Sequence, residues 1–169
     1  MFKGTDRAVF LDKRELEGPI YTQIEEAVDF VLRNIRLGAM IDGLVRKERY
    51  ELPPEAIREM IINAHCHRNL LDETCIQVAI YDDRLEVTSP GGLYNGMTYE
   101  EVMNGHSKIR NKGIANIFSQ MGLVEAWGSG IKRILNAAEE YGLPKPRFQE
   151  FDNMFRVELF RNLFPMMEE

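Results

Sequence analysis

The segment Glu55–Leu71 constrains the fold of this chain more than any other stretch, because its apolar residues recur with the period of an amphipathic helix. Glu59, Asn63 and His67 stand at i, i+4 and i+8, so they lie on one side of that helix. The other side carries the apolar residues Ala56, Ile57, Met60, Ile61 and Ala64. A carboxylate can orient or deprotonate a water molecule, and a carboxamide oxygen one turn away can hold a hydrated magnesium ion. We therefore predict a functional site on the polar side.

Size and composition are typical of one globular domain. The chain has 169 residues, of which 44% are apolar and 28% charged. Its net charge of −6 argues against a surface that coats nucleic acid, although a local basic site stays open. No apolar run approaches the roughly 18–20 residues of a membrane span, and two cysteines give no disulfide framework. We expect a cytoplasmic protein without a membrane partner.

Helical and extended patterns alternate along the chain, which predicts an α/β fold with helices packed on a largely antiparallel sheet. Thr22–Glu25 has a capping-box pattern for a helix that Gly38 would end. Cys75–Tyr81 and Arg84–Ser89 predict a β-hairpin, and Thr98–Glu101 predicts a second capping box. The remaining predictions are a strand in Arg7–Leu16, an extended segment at Val45–Leu52, a helix start at Pro54, helices around Ile114–Met121 and Ile131–Ala138, and strands at Phe148–Phe151 and Met154–Phe160.

Two glycine-containing loops are candidate phosphate sites. Gly128, Ser129 and Gly130 come directly before a predicted helix, where backbone amides of the first turn can point at an anion. Lys132 and Arg133 add positive charge nearby. Gly91 and Gly92 follow the predicted hairpin in a second glycine turn. A simple tight turn is the alternative reading of both loops.

The order of these parts resembles the GHKL ATP-binding fold of gyrase, Hsp90, histidine kinases and MutL. That family carries E-x-x-x-N on its first helix, present here as Glu59–Asn63, then a glycine box after a strand and a G-x-G at a helix start. The stretches EMIINAHCHRNL, DDRLEVTSPGGLYNGMT, GHSKIRN and GLVEAWGSGIKRI resemble, more closely, the C-terminal module of transcriptional regulators labelled RecG-related ATP-dependent DNA helicases. Such proteins usually carry an N-terminal Schlafen/Alba-like domain.

This resemblance implies a GHKL-like two-layer sandwich, with a mostly antiparallel sheet that has helices on one face. Residues 53–162 would be the core, 1–52 an N-terminal linker and helical segment packed on it, and 163–169 a tail. The implied cofactors are ATP and Mg²⁺. The resemblance makes Glu59 the general base and Asn63 the magnesium ligand, and it puts Ser89 or a neighbouring residue where the family has an aspartate that accepts the adenine amino group. The other implied nucleotide contacts are Gly91, Gly92, His106, Lys108, Arg110, Gly128, Ser129 and Gly130.

The resemblance also implies partners and leaves rival functions open. We expect DNA to be met through an N-terminal domain ahead of this segment, and a homodimer is a further expectation. One rival is a non-catalytic interaction or dimerisation module that has lost the nucleotide, which Ser89 favours. Another is direct DNA binding through the cations Lys108, Arg110, Lys112, Lys132 and Arg133. The chain has no G-x-x-x-x-G-K-[ST] loop, so we expect at most a weak ATPase and not a self-contained helicase motor.

Overall fold

The computed structural model describes residues 1–42, 44–124 and 129–162, without the side chains of residues 40–42. Its elements in chain order are β1 (Phe2–Lys3), β2 (Val9–Phe10), α1 (Ile20–Asn34), β3 (Leu37–Asp42), β4 (Val45–Tyr50), α2 (Pro54–His67), β5 (Gln77–Ile80), β6 (Arg84–Pro90), α3 (Tyr99–Met103), α4 (Lys112–Gln120), α5 (Gly130–Glu140), β7 (Arg147–Phe151) and β8 (Met154–Phe160). No helix in these described ranges is long and apolar enough to cross a membrane.

The main sheet has four strands in the order β5-β6-β8-β7, and every neighbouring pair is antiparallel. The predicted hairpin at Asp82–Asp83 is confirmed as β5–β6, and the two predicted closing strands are confirmed as β7–β8. In the central pair, Val87 faces Val157 and Ser89 faces Phe155. Because side chains alternate along a strand, these four residues point to the same face of the sheet.

The helices cover that face, and α2 lies at the centre of the helical layer. It packs against α1, α5 and β6, and one hydrophobic cluster runs through all of these elements. The fold is therefore mixed α/β with antiparallel sheets, which confirms the predicted fold class. Pro54 does stand in the first turn of α2, as predicted, with Pro53 as the N-cap. Neighbours on several sides leave Glu59 only 7% exposed, so α2 has no fully solvated side at this residue.

Two predictions for the N-terminal third were wrong, and a third holds only in part. α1 begins at Ile20 after Pro19 and has no side-chain cap, so Thr22 lies inside the helix and forms no capping box. Gly38 does not end α1, which stops at Asn34; it lies in β3 instead. The strand predicted between Arg7 and Leu16 is only the two-residue β2, paired with β1.

The β3–β4 hairpin forms a separate two-stranded sheet. Its apolar side chains Leu37, Leu44 and Val45 are exposed, and Leu44 is fully so. Arg49 ties the hairpin to the body, because its guanidinium lies 3.7 Å from the ring centroid of Tyr141 and donates to the Tyr141 carbonyl at 3.2 Å. This contact links the hairpin to the C-terminal end of α5.

The outer face of the main sheet carries a network of charges. Glu86 and Glu158 face each other on β6 and β8 and are 2% and 1% exposed. The arginines that pair with them are Arg7, Arg84, Arg147 and Arg156. Burial alone would raise the pKa of Glu158, but the hydrogen bond from Arg147 and the surrounding arginine charges outweigh it and hold the pKa below the usual value. The apolar face under the helices is therefore where a ligand cavity can form.

Candidate functional site

A cavity of about 120 Å³ lies between the main sheet and the helices α2 and α5. Its floor consists of side chains from the two central strands: Val87, Ser89, Phe155 and Val157. Met60 and Ala64 of α2 and Ile134 of α5 form apolar walls. Residues 93–109, which we call the covering segment, close it on another side through Leu93, Met97 and Ile109. The cavity is thus mostly apolar, as binding sites for planar organic groups commonly are.

One end of the cavity brings together the two residues that first suggested a site. A Cβ built on Gly130 would lie 2.5 Å from Oε1 of Glu59 and 2.5 Å from Nδ2 of Asn63. Only a residue without a side chain can bring the backbone at the start of α5 this close to both groups. A carboxylate, a carboxamide and the beginning of an 11-residue helix therefore converge on one point.

Glu59 is also paired with a cation. Nη1 of Arg133, one turn into α5, lies 3.7 Å from Oε2 of Glu59. The two oxygens of the buried carboxylate are thus divided, with Oε1 at Gly130 and Oε2 at Arg133. Sequence reasoning placed Arg133 only in a basic cluster, since no local pattern connects it to Glu59 74 positions earlier. This ion pair fixes the orientation of the carboxylate at the cavity.

The glycine turn after β6 borders the cavity, but its amides are used within the protein. The Gly91 amide donates to the Asn153 carbonyl at 2.7 Å and the Gly92 amide to Asn153 Oδ1 at 3.4 Å. The Leu93 amide donates to Oε1 of Glu150 at 3.0 Å. The turn is therefore fastened to the β7–β8 hairpin. The phosphate contact proposed for the two glycines stays a prediction.

Arg110 joins the two ends of the covering segment. Its Nη2 donates to the Gly92 carbonyl at 2.8 Å, and its guanidinium lies 5.1 Å from the ring centroid of Tyr94. A Cβ on Gly91 would meet this guanidinium at 3.0 Å, and Gly91 also has a φ of +100° that side chains rarely adopt. Both facts explain why glycine is needed here. Arg110 contacts the turn next to the cavity without lining the cavity itself.

The covering segment has its own internal structure. Thr98 and Glu101 form the predicted capping box at the start of α3, which confirms that prediction. The Lys108 amide donates to Sδ of Met97 at 3.1 Å, and Nζ of Lys108 donates to the Asn95 carbonyl at 3.2 Å. These contacts fold the segment into a compact cover. Both the backbone amide and the ammonium group of Lys108 therefore make hydrogen bonds within the covering segment.

His106 and Lys132 meet this cover from two sides. The His106 amide donates to the Glu101 carbonyl at 2.9 Å, and its exposed side chain borders the cavity. The Lys132 side chain packs against Gly105, whose φ is +87°. Lys132, Lys108 and Arg110 thus make contacts inside the module, which argues against a continuous DNA-binding track built from the cations on this side.

The histidines and the cysteine at the end of α2 are shifted toward their neutral forms. Burial lowers the pKa of His65 to about 4. Burial, followed by the positive charge of Arg110, lowers the pKa of His67. Burial and then the negative charge of Glu59 raise the pKa of Cys66 to about 12, so its thiol is a poor nucleophile at neutral pH. His65, Cys66 and His67 are therefore mainly neutral at pH 7. The charged side chain of α2 that lines the cavity is Glu59.

The structure gathers most of the predicted site residues around one cavity. Those that line it are Glu59, Asn63, Ser89, Gly91, Gly92, His106, Lys108 and Gly130. Ser129 is the N-cap of α5 and directly precedes Gly130, while Gly128 lies outside the described residues. The sequence reasoning missed the floor residues Phe155 and Val157. Because alternate residues of a strand share a face, the sequence could show that Phe155 and Val157 point the same way. Only the pairing of β8 with β6 shows that they lie beside Ser89.

Comparisons with known proteins give a family and similar solved structures. The family model described as "Putative ATP-dependent DNA helicase recG C-terminal" matches residues 73–159, from the β5 region to the end of β8. The crystal structure of the DIP2311 protein from Corynebacterium diphtheriae is similar, with a TM-score of 0.85 and 26% sequence identity. The match covers 95% of this chain and 33% of that protein, so the chain spans about a third of its length. No curated protein matches the sequence.

Proposed function

The chain belongs to the family of RecG C-terminal modules, an ATPase-like family, and from that premise we propose that its cavity binds ATP together with Mg²⁺. The observation that carries the proposal is the convergence of Glu59, Asn63 and Gly130 at one end of an apolar cavity. The apolar floor suits a base, and the polar end suits a phosphate–metal group. A nucleotide has both of these parts, which a purely apolar ligand lacks.

The residues at the polar end fit the groups that the proposal requires. The amide oxygen of Asn63 is a hard oxygen ligand of the kind that Mg²⁺ prefers. Ser129 and Gly130 begin α5, and the backbone amides and dipole at the start of a helix favour a phosphate. Magnesium, when bound, would neutralise part of the phosphate charge. The missing Cβ at Gly130 lets the backbone at the start of α5 lie directly against Glu59 and Asn63.

Hydrolysis would use Glu59 as the base for water, and we expect it to be slow. The carboxylate is buried and held in one orientation by Arg133, which suits a positioned base. The same ion pair commits Oε2 to Arg133, so a base built on this carboxylate would have to act through Oε1 at the Gly130 side. We therefore propose a nucleotide-binding module whose turnover is weak.

We further propose that residues 53–162 are the nucleotide-binding core and that 1–52 pack on it as an accessory segment. Contacts of α1 with α2 support this arrangement. The module would serve a cytoplasmic, DNA-linked regulator and would meet DNA through another part of the protein. We expect DNA to co-purify with a protein that joins this module to a DNA-binding domain. We expect the DNA to be lost when residues 1–169 are expressed alone. Equal DNA retention by the segment alone would contradict it.

Isothermal titration with ATP and MgCl₂ tests the nucleotide proposal. Wild-type protein should bind in the micromolar to millimolar range, and Asn63→Ala should weaken binding at least tenfold in magnesium. Asn136→Ala is the matched control, since Asn136 is exposed on α5 and does not line the cavity. Absence of binding by the wild type, or equal binding by the Asn63 and Asn136 variants, would reject the proposal and favour a module without a nucleotide.

A further inference from the structure

We propose that this cavity accepts both 6-amino and 6-oxo purine nucleotides, because the hydroxyl of Ser89 is the polar group that its sheet floor offers to a base. The inference rests on the proposed nucleotide function and adds the class of base. Adenine presents an amino donor at position 6 and hypoxanthine or guanine a carbonyl acceptor. Which of the two a site admits depends on the polar atoms it offers to that edge.

The position of Ser89 makes it the group that meets the edge of a base. It is 4% exposed and lies on the helix-facing side of β6, in alternation with Val87. Its cross-strand neighbour is Phe155, and Val87 faces Val157 in the same way. Three of the four floor residues are therefore apolar. A planar base that rests on this floor finds its polar partner in one hydroxyl.

Among the described lining residues, no carboxylate is available beside the Ser89 hydroxyl to accept a hydrogen bond from the base. Among the described lining residues, Glu59 is the one carboxylate. Its oxygens face Gly130 and Arg133 at the polar end, which is the place for phosphate and metal. Glu150 lies near the glycine turn, but its Oε1 accepts from the Leu93 amide. No carboxylate in the described lining is therefore left to prefer an amino group at the floor.

A hydroxyl is a permissive partner in a way that a carboxylate is not. An ionised carboxylate only accepts hydrogen bonds, so it attracts the adenine amino group and repels a 6-oxo oxygen. A serine hydroxyl accepts from the amino group, and after rotation it donates to the oxo group equally well. The floor therefore satisfies either base with one hydrogen bond. Selectivity between them is lost while affinity from the apolar floor and the polar end is kept.

Titration with ATP and with ITP, each in MgCl₂, measures this directly, because the two nucleotides differ only at position 6 and in the protonation of the adjacent N1. Wild-type dissociation constants should agree within tenfold. Ser89→Asp should raise the ITP-to-ATP ratio of dissociation constants more than tenfold. Ser89→Asn is the matched control: it has the size of aspartate but an amide that both donates and accepts, so its ratio should stay within tenfold.

The outcomes separate this inference from the function on which it rests. A wild-type preference for ATP above tenfold, or an unchanged ratio in Ser89→Asp, overturns the base assignment and leaves nucleotide binding in place. Failure of both nucleotides to bind overturns both. If Ser89→Asp does not fold, Ser89→Ala replaces it: equal weakening for ATP and ITP supports the inference, and weakening for ATP alone overturns it.

Discussion

Nη1 of Arg133 lies 3.7 Å from Oε2 of Glu59, so an ion pair joins α5 to α2 beside the cavity. The carboxylate side chain is 9% exposed and the guanidinium 36%. Such a half-buried pair is expected to be worth more than an exposed pair and less than a fully buried one. It connects α5, which starts at the polar end of the cavity, to α2, which carries Glu59 and Asn63.

A double-mutant cycle on this pair should therefore give a coupling free energy of about 1 kcal/mol in urea unfolding. The variants are Glu59→Gln, Arg133→Met and their combination. A cycle is needed because both side chains have further interactions that the single variants also remove. Coupling within error of zero would mean that the pair does not stabilise the contact between α2 and α5.

Replacing Gly130 by alanine should disturb the site more than the fold. The added methyl group would lie 2.5 Å from Oε1 of Glu59 and from Nδ2 of Asn63, so both side-chain ends would have to leave the positions that they hold beside the cavity. The gain in helix propensity of about 1 kcal/mol offsets part of the cost. We expect the free energy of unfolding to change by less than about 1 kcal/mol, and MgATP affinity by titration to fall at least tenfold.

Gly113→Ala is the control for that experiment. Gly113 lies in the first turn of α4, and a Cβ there would meet nothing within 4 Å. This variant should be stabilised by up to about 1 kcal/mol, with nucleotide affinity unchanged. An equal fall in affinity for both glycine variants would show that the close approach of Gly130 to the side chains has no special role.

His65 should make the protein sensitive to mild acid. Its folded-state pKa of about 4 lies below the usual value of 6.5, so the unfolded state binds more protons between these two pH values. The stabilisation is complete above pH 6.5 and is lost as the pH falls toward 4, to a total of at most about 3 kcal/mol. Urea unfolding at several pH values measures this loss.

His65→Gln should flatten the stability profile between pH 6.5 and 4, because the glutamine amide does not take up a proton. His106→Gln is the comparison, since its side chain is exposed on the covering segment. The account of His65 fails if the wild type and His65→Gln lose the same free energy of unfolding across this pH range.

Arg161 should be a strong contributor to stability. Its Nη2 lies 2.6 Å from Oε1 of Glu51 and its Nη1 donates to the Tyr81 carbonyl at 2.6 Å, with 7% of the arginine side chain exposed. Arg161→Met leaves a partly buried carboxylate without this cation and should cost about 3 kcal/mol in thermal or urea unfolding.

Arg46→Met gives the matched case for an exposed pair. Arg46 lies 3.3 Å from Glu48 on β4, but the two side chains are 70% and 54% exposed. Its removal should cost less than about 0.5 kcal/mol. Similar losses for Arg46→Met and Arg161→Met would argue that burial does not set the strength of these pairs.

Local signals in the sequence predicted those parts of the fold whose cause is local. Pro54 suits a first helical turn wherever the helix packs, and the Thr98–Glu101 capping box closes within one turn. The same reasoning failed at Thr22, because α1 starts two residues earlier after Pro19 and is held by packing rather than by a side-chain cap. The prediction that Gly38 ends α1 was also wrong, because glycine is found both after helices and within strands, and here it lies in β3.

The candidate site divides in the same way. The spacing of Glu59 and Asn63 on one helix is a property of the sequence, so their neighbourhood could be predicted. The burial of Glu59, its pairing with Arg133 and the floor beside Ser89 depend on contacts between α2, α5, β6 and β8. Contacts between residues far apart in the chain leave no periodic pattern, and only the folded structure supplies them.

The β3–β4 hairpin gives the molecule two levels of local stability. Its backbone hydrogen bonds are those of one two-stranded ladder, and an isolated ladder of this kind is marginally stable in water. Amide protons of Leu37–Asp42 should therefore exchange with solvent through local opening, while those of α2 wait for global unfolding. Unfolding of the hairpin alone would also change the C-terminal end of α5, because the contact between Arg49 and Tyr141 would be lost.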